Sequence, residues 1–179
     1  MKRLCLTALG VLPLLVASNA SAGSLIKGRD NRGVRLDYES LNMGRSGAVR
    51  FSLECVKNWG GRVGGVATVV AYYLDESGEI REKSESVSCY VNGGLDGERK
   101  KQRGEAKSIT IPVPLSQAEV RAYVDYKETS NIDDALEHLG NEVNKGIERV
   151  TSGEVKKPLS VGKTLEQAVA PAGGDKLTF

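Results

Sequence analysis

Apolar and polar residues alternate in several stretches of the first two thirds of the chain. Val34, Leu36 and Tyr38 interleave with Arg35, Asp37 and Glu39, and Val49, Phe51, Leu53 and Cys55 interleave with Arg50, Ser52 and Glu54. A period of two marks a half-buried strand, because successive side chains point to opposite faces. The run Arg62–Leu74 is apolar on both faces, which predicts a central strand covered on both sides. Gly64 and Gly65 near its start predict a bulge or a close backbone approach. Asn58-Trp59-Gly60-Gly61 precedes this run as a turn, and Asp75-Glu76-Ser77-Gly78 follows it as a hairpin connection. The next strand, Glu79–Val91, is charged in its first half, which suits a sheet edge, and aligns Val87, Cys89 and Val91 in its second.

Further along, the glycine-rich segment Asn92–Glu105 is expected to be a long irregular loop carrying the basic run Arg99–Arg103. Ile109, Ile111, Val113 and Leu115 alternate with Ser108, Thr110, Pro112 and Pro114, a strand that its prolines confine to an edge. Residues 116–128 carry two conflicting signals. Ser116-Gln117-Ala118-Glu119 matches a helical capping box, whereas Val120, Ala122, Val124 and Tyr126 alternate like a strand. The β-branched and aromatic residues favour the strand. Ile132, Ala135, Leu136, Leu139, Val143, Ile147 and Val150 then form one stripe at helical spacing, capped by Ser130 or Asn131. Beyond Ser152 the chain is polar, and Thr164-Leu165-Glu166-Gln167 caps one short helical turn ending near Val169.

Two cysteines constrain how these strands assemble. In a flat meander the strands of Cys55 and Cys89 lie two spacings apart, about 9.6 Å, and their side chains point the same way. A disulfide needs Cα atoms within about 7 Å and converging Cβ vectors. A Cys55–Cys89 bond therefore requires the strands to be shared between two facing sheets. The expected fold is mainly β: a two-sheet antiparallel, immunoglobulin-like sandwich with one C-terminal helix packed on it. The expected organisation is a leader over residues 1–22, a loose arm over 23–32, the domain over 33–151 and a flexible tail over 152–179.

The leader sets the expected compartment. Lys2 and Arg3 precede the apolar run Leu4–Ala17, and Ala20-Ser21-Ala22 is a small-residue cleavage site, so cleavage is expected before Gly23. Cys5 leaves with the leader, and the two remaining cysteines fit one disulfide in an exported protein. No Asn-x-Ser/Thr sequon follows the leader, which is compatible with a bacterial source. The periplasm of a Gram-negative bacterium, or its medium, is the expected destination. Of the chain's 25 basic residues two lie in the leader, which leaves 23 against 23 acidic residues. A neutral mature chain is not built for nucleic acid or anionic membranes.

Candidate chemistry is sparse. His138 is the single histidine, with Asp134 and Glu142 one helical turn away, and it is expected on a solvated helix face. No phosphate-cradling glycine motif and no metal-ligand cluster occur, so no catalytic residue, metal or cofactor is expected. What remains for contact is Trp59 in its turn and the basic residues Arg99, Lys100, Lys101 and Arg103. The expected function is non-enzymatic binding of another protein in the bacterial envelope, as an inhibitor, a toxin-immunity factor or an assembly factor. The alternatives are a secreted hydrolase or toxin using paired carboxylates, and a carbohydrate-binding module resting on Trp59 and nearby tyrosines.

Overall fold

The computed structural model describes residues 21–28, 33–58, 60–93, 98–129, 162 and 164–179. Strands β1 (Ala22–Lys27), β2 (Gly33–Asn42), β3 (Gly47–Lys57), β6 (Lys100–Arg103) and β7 (Lys107–Ile111) form one antiparallel sheet. Strands β4 (Arg62–Leu74), β5 (Ile80–Asn92), β8 (Ala118–Thr129) and β9 (Asp175–Lys176) form the other, in the order β5-β4-β8-β9. The only α-helix among the described residues is the short α1 (Leu165–Val169).

The inward faces supplied by the period-two pattern meet in one core. Leu36, Val49, Phe51, Leu53, Val63, Ala67, Val69, Val87, Ile109, Val120 and Ala122 are all buried in it. Cys55 on β3 and Cys89 on β5 are bonded across the sheets with Cα atoms 5.6 Å apart. The two-sheet sandwich expected from cysteine geometry is therefore the observed one. The immunoglobulin pattern does not extend to the bridge. In that fold the disulfide joins the central strands of both sheets, whereas here β3 is central and β5 is an edge.

Strand β4 is central, as expected, and pairs with β5 and β8 along its length. Both registers run through Gly64 and Gly65 without interruption, so there is no bulge. Close approach is the reason for Gly65: a methyl group there would stand 2.4 Å from Val34 Cγ1 on the facing sheet. Residues 118–129 are strand, as the alternation predicts, and the capping-box sequence before them forms only a 3-10 turn over Leu115–Gln117. Pro112 supplies no backbone N–H and follows the end of β7, which stops at Ile111 rather than running on to Leu115.

Three expectations are corrected. Residues 23–32 were expected as a loose arm, but Ala22–Lys27 pairs with Val34–Glu39 as an edge strand, with Leu25 against the core. The supposed loop Asn92–Glu105 contains β6, which pairs with Glu54–Lys57. The described part of the supposed tail, residues 164–179, is docked. Val169 and Leu177 are buried, and Leu177 N donates to Val120 O at 2.9 Å. The capped turn itself is as predicted, with Gln167 N donating to Thr164 Oγ1 and Thr164 N to Gln167 Oε1. The helix predicted over 132–150 lies outside the described residues.

The β4–β5 hairpin is built on Asp75. Its Oδ1 accepts from Ser77 N at 2.9 Å, Ser77 Oγ at 2.6 Å and Glu79 N at 3.0 Å. Its Oδ2 accepts from Arg81 Nε at 2.7 Å. Gly78, at φ 78°, takes the left-handed position. The Ser77 hydroxyl and the Arg81 guanidinium hold the Asp75 carboxyl well below the usual carboxylate range. A depressed carboxyl adds stability above the ordinary carboxylate pKa, and that stability is lost as pH falls through the folded value. Asp75→Asn is expected to lower the melting temperature at pH 7, with the gap from wild type closing only in strong acid. A gap already closed at pH 4 would show that the ionised carboxylate is not what caps the turn.

Candidate functional site

The outward faces of the two sheets differ in what covers them. On the β5-β4-β8-β9 sheet the chain covers its own face. Val70, Tyr72 and Ile80 pack with Val169, Leu165 and Ala168 of α1. Arg121 Nη1 donates to Gly173 O at 3.1 Å, and the Tyr123 hydroxyl donates to Ala172 O at 2.9 Å. Glu119 takes Arg121 Nη2 at 3.3 Å and Lys176 Nζ at 3.2 Å, and Lys176 also reaches Glu166 at 2.8 Å. Burial, with the hydrogen bond to Tyr123, pushes the Tyr72 phenol far above its ordinary range.

The outward face of the other sheet carries a trough of about 750 Å³. Its shape follows from register. Residues directly opposite one another on antiparallel strands share a face. One row across the sheet reads Ala22, Glu39, Arg50 and Ser108. The row two residues along reads Ser24, Asp37 and Ser52. The next reads Ile26, Arg35, Glu54 and Arg103. The middle row is short-chained, and its neighbours are long and charged. The result is a channel that crosses the strands, from β1 to the break between β6 and β7.

Gly104 marks that break. Strand β3 pairs with β6 over Glu54–Lys57 and with β7 over Gly47–Phe51, so Ser52 and Leu53 have no strand partner on that side. Gly104 fills the gap and donates to Leu53 O at 2.8 Å. A Cβ on Gly104 would lie 2.1 Å from Ser88 O, so only glycine lets the chain pass here.

An ion-pair chain lines the trough. Asp37 Oδ1 accepts from Arg35 Nε at 2.6 Å, and its Oδ2 accepts from Arg103 Nη2 at 2.8 Å. Glu54 lies 3.9 Å from both Arg103 and Lys101, and Arg50 lies 3.6 Å from Glu39. Of the residues singled out in the sequence, Lys101 and Arg103 thus join this face, carried there by β6. Lys100 alternates to the other side of the strand, opposite Lys57, and pairs with Glu98 at 3.0 Å. Arg99 is exposed just before the strand. Trp59, and His138 with Asp134 and Glu142, lie outside the described residues. Sequence reasoning missed Arg35, Asp37, Glu39 and Arg50, which looked like the ordinary polar side of two strands. Only their register with β1 and β6 sets them around one channel.

No group of three or more His, Cys, Asp or Glu among the described residues is arranged to hold a metal ion. No described helix is long and apolar enough to cross a membrane. No protein-family model, no curated protein and no solved structure matches the chain.

Proposed function

We propose that this is an exported, non-enzymatic binding module of the bacterial envelope that recognises another protein through the trough on its first sheet. The observation that carries this reading is the contrast between the two outward faces. One is covered over Val70, Tyr72 and Ile80 by the chain's own C-terminal segment and keeps only a depression of about 270 Å³ beside Thr68 and Asp125, and the other carries the larger open channel, walled by half-exposed arginines. The inter-sheet disulfide supports an oxidising compartment, and the leader pattern supports export. Arginine-rich, preorganised polar surfaces suit protein recognition.

The alternatives find less support. A glycosidase needs a carboxylic acid and a second carboxylate working across a cleft, but both oxygens of Asp37 are held by arginines. A sugar platform needs exposed rings, but Phe51 is buried and Tyr38 packs against the core. Arg99, exposed just before β6, is assigned to the rim of the partner contact, whereas Lys100 faces the other side of that strand and takes no part in it.

Ser24→Trp tests the reading. Ser24 is exposed on an edge strand, and an indole there fills the channel without removing a charge. Cross-linking in periplasmic extract is expected to give a discrete partner band with wild type, reduced at least tenfold in the variant. A band of equal intensity in the variant would place the contact elsewhere.

A further inference from the structure

The charges on the wall of Arg35, Lys101 and Arg103 are layered, while on the other wall Arg50 lies 3.6 Å from Glu39, itself 46% exposed. The side chains of Arg35, Arg50, Lys101 and Arg103 are 50, 61, 49 and 54% exposed, whereas those of Asp37 and Glu54 are 25 and 15% exposed. The two carboxylates lie low and hold the cations from beneath. Three cations, Arg35, Arg103 and Lys101, share two anions, so this wall carries an unbalanced positive charge. Donors remain. Arg35 uses only Nε in its contact with Asp37, and Arg103 uses only Nη2. Guanidinium groups fixed in place with unused N–H donors are arranged to take more carboxylate oxygens.

We infer that the trough takes an acidic, extended polypeptide segment laid across the strands, its carboxylates meeting Arg50 on one wall and Arg35 and Arg103 on the other. This rests on the protein-binding reading above. Geometry selects the extended segment. The walls are four residues apart along β3, about 13 Å, which one compact anion such as phosphate cannot bridge. An extended chain is about 10 Å across its side chains and sends successive side chains to opposite sides, so neighbouring acidic residues reach opposite walls. The channel crosses about three strand spacings, roughly 14 Å, the length of about four extended residues. The direction of the channel excludes strand addition, because a sheet face offers side chains rather than ladder hydrogen bonds. Polypeptide is favoured over an acidic polysaccharide because the two aromatic residues that border the trough, Tyr38 and Phe51, pack into the core and leave a floor of Ser24, Asp37 and Ser52 with no exposed ring face for a sugar.

The test uses the full-length exported protein with its disulfide formed and a fluorescently labelled hexaglutamate peptide, read by anisotropy. Wild type is expected to bind hexaglutamate and not hexalysine, with affinity falling about tenfold between 50 and 300 mM NaCl. The double variant R35Q/R103Q, checked for fold by circular dichroism, is expected to lose at least tenfold. Ser24→Trp, which keeps every charge, is expected to lose as much. Absence of hexaglutamate binding to wild type, or equal binding by both variants, overturns the inference. So does a sulfated polysaccharide that binds more tightly and is lost in the same variants, since the site would then belong to glycans. If partner cross-linking survives R35Q/R103Q but not Ser24→Trp, the acidic segment is refuted while the protein-binding reading stands. If it survives both, the trough reading itself falls.

Discussion

Replacing Cys55 and Cys89 together with alanine is expected to lower the melting temperature by about 10 °C. The bond closes a loop of sequence separation 34, and a loop of that size restricts the unfolded chain by about 3–4 kcal/mol on the chain-entropy model. For a domain of this size each kcal/mol shifts the melting temperature by about 2–4 °C. The bond also ties the central strand of one sheet to an edge strand of the other, so its loss loosens β5 first. Hydrogen exchange should therefore rise earlier in Val87–Val91 than in β4. Cys55 is fully buried and Cys89 nearly so, and a reductant reaches them only when the sandwich opens. Reduction of wild type is accordingly expected to accelerate in sub-denaturing urea. A melting shift below 2 °C would show that packing alone holds the sheets together.

The disulfide is also where the sequence said most about the fold. Strand spacing and the reach of a cystine are fixed quantities, so two cysteines on alternating segments forced two sheets. The same kind of local signal gave β4, apolar on both faces, and the strand at 118–129. Two capping-box sequences show the limit of such signals. At Ser116 the motif is followed by alternation that pairs with β4, and the long ladder wins. At Thr164 it is followed by Leu165, Ala168 and Val169, spaced to bury one helical face, and the cap forms as written.

The missed elements share a different cause. Strands β6 and β9 are short and polar, and β1 is short with its two large apolar residues, Leu25 and Ile26, adjacent rather than alternating, so all three take their order from a neighbour's unpaired backbone rather than from their own apolar pattern. The trough was illegible for the same reason. Arg35, Ser52 and Arg103 are far apart in the chain, and only the pairing of β2, β3 and β6 sets them side by side. The buried charges under the C-terminal segment were hidden too. Glu119 and Arg121 alternate with Val120 and Ala122 like any solvated strand face, and nothing local announces that residues 164–179 return to cover them.

Those charges carry the second large effect. Glu119→Ala is expected to destabilise the fold by about 3–5 kcal/mol, because it leaves Arg121 buried without its carboxylate. The two side chains are 6 and 10% exposed, so water cannot stand in for the lost partner. Among the described residues Arg121 Nε and Glu119 Oε1 both lack a hydrogen-bond partner, so charge attraction at 3.3 Å, rather than a hydrogen bond, ties this cation to Glu119. Lys176 is 42% exposed and keeps Glu166, so the cost falls on Arg121 and on the Gly173 carbonyl it holds. The double replacement Glu119→Leu with Arg121→Met should restore most of the stability, since an apolar pair of similar volume avoids the desolvation of both charges. Urea midpoints give the energies, and limited proteolysis within residues 164–179 reports whether the segment lifts. In Glu119→Ala that segment should be cut faster, and in the double variant it should be protected again through Val169 and Leu177. If the double variant stays as weak as the single one, the Glu119–Arg121 pair is not what seats the C-terminal segment, and the burial of Leu177 and Val169 must seat it alone.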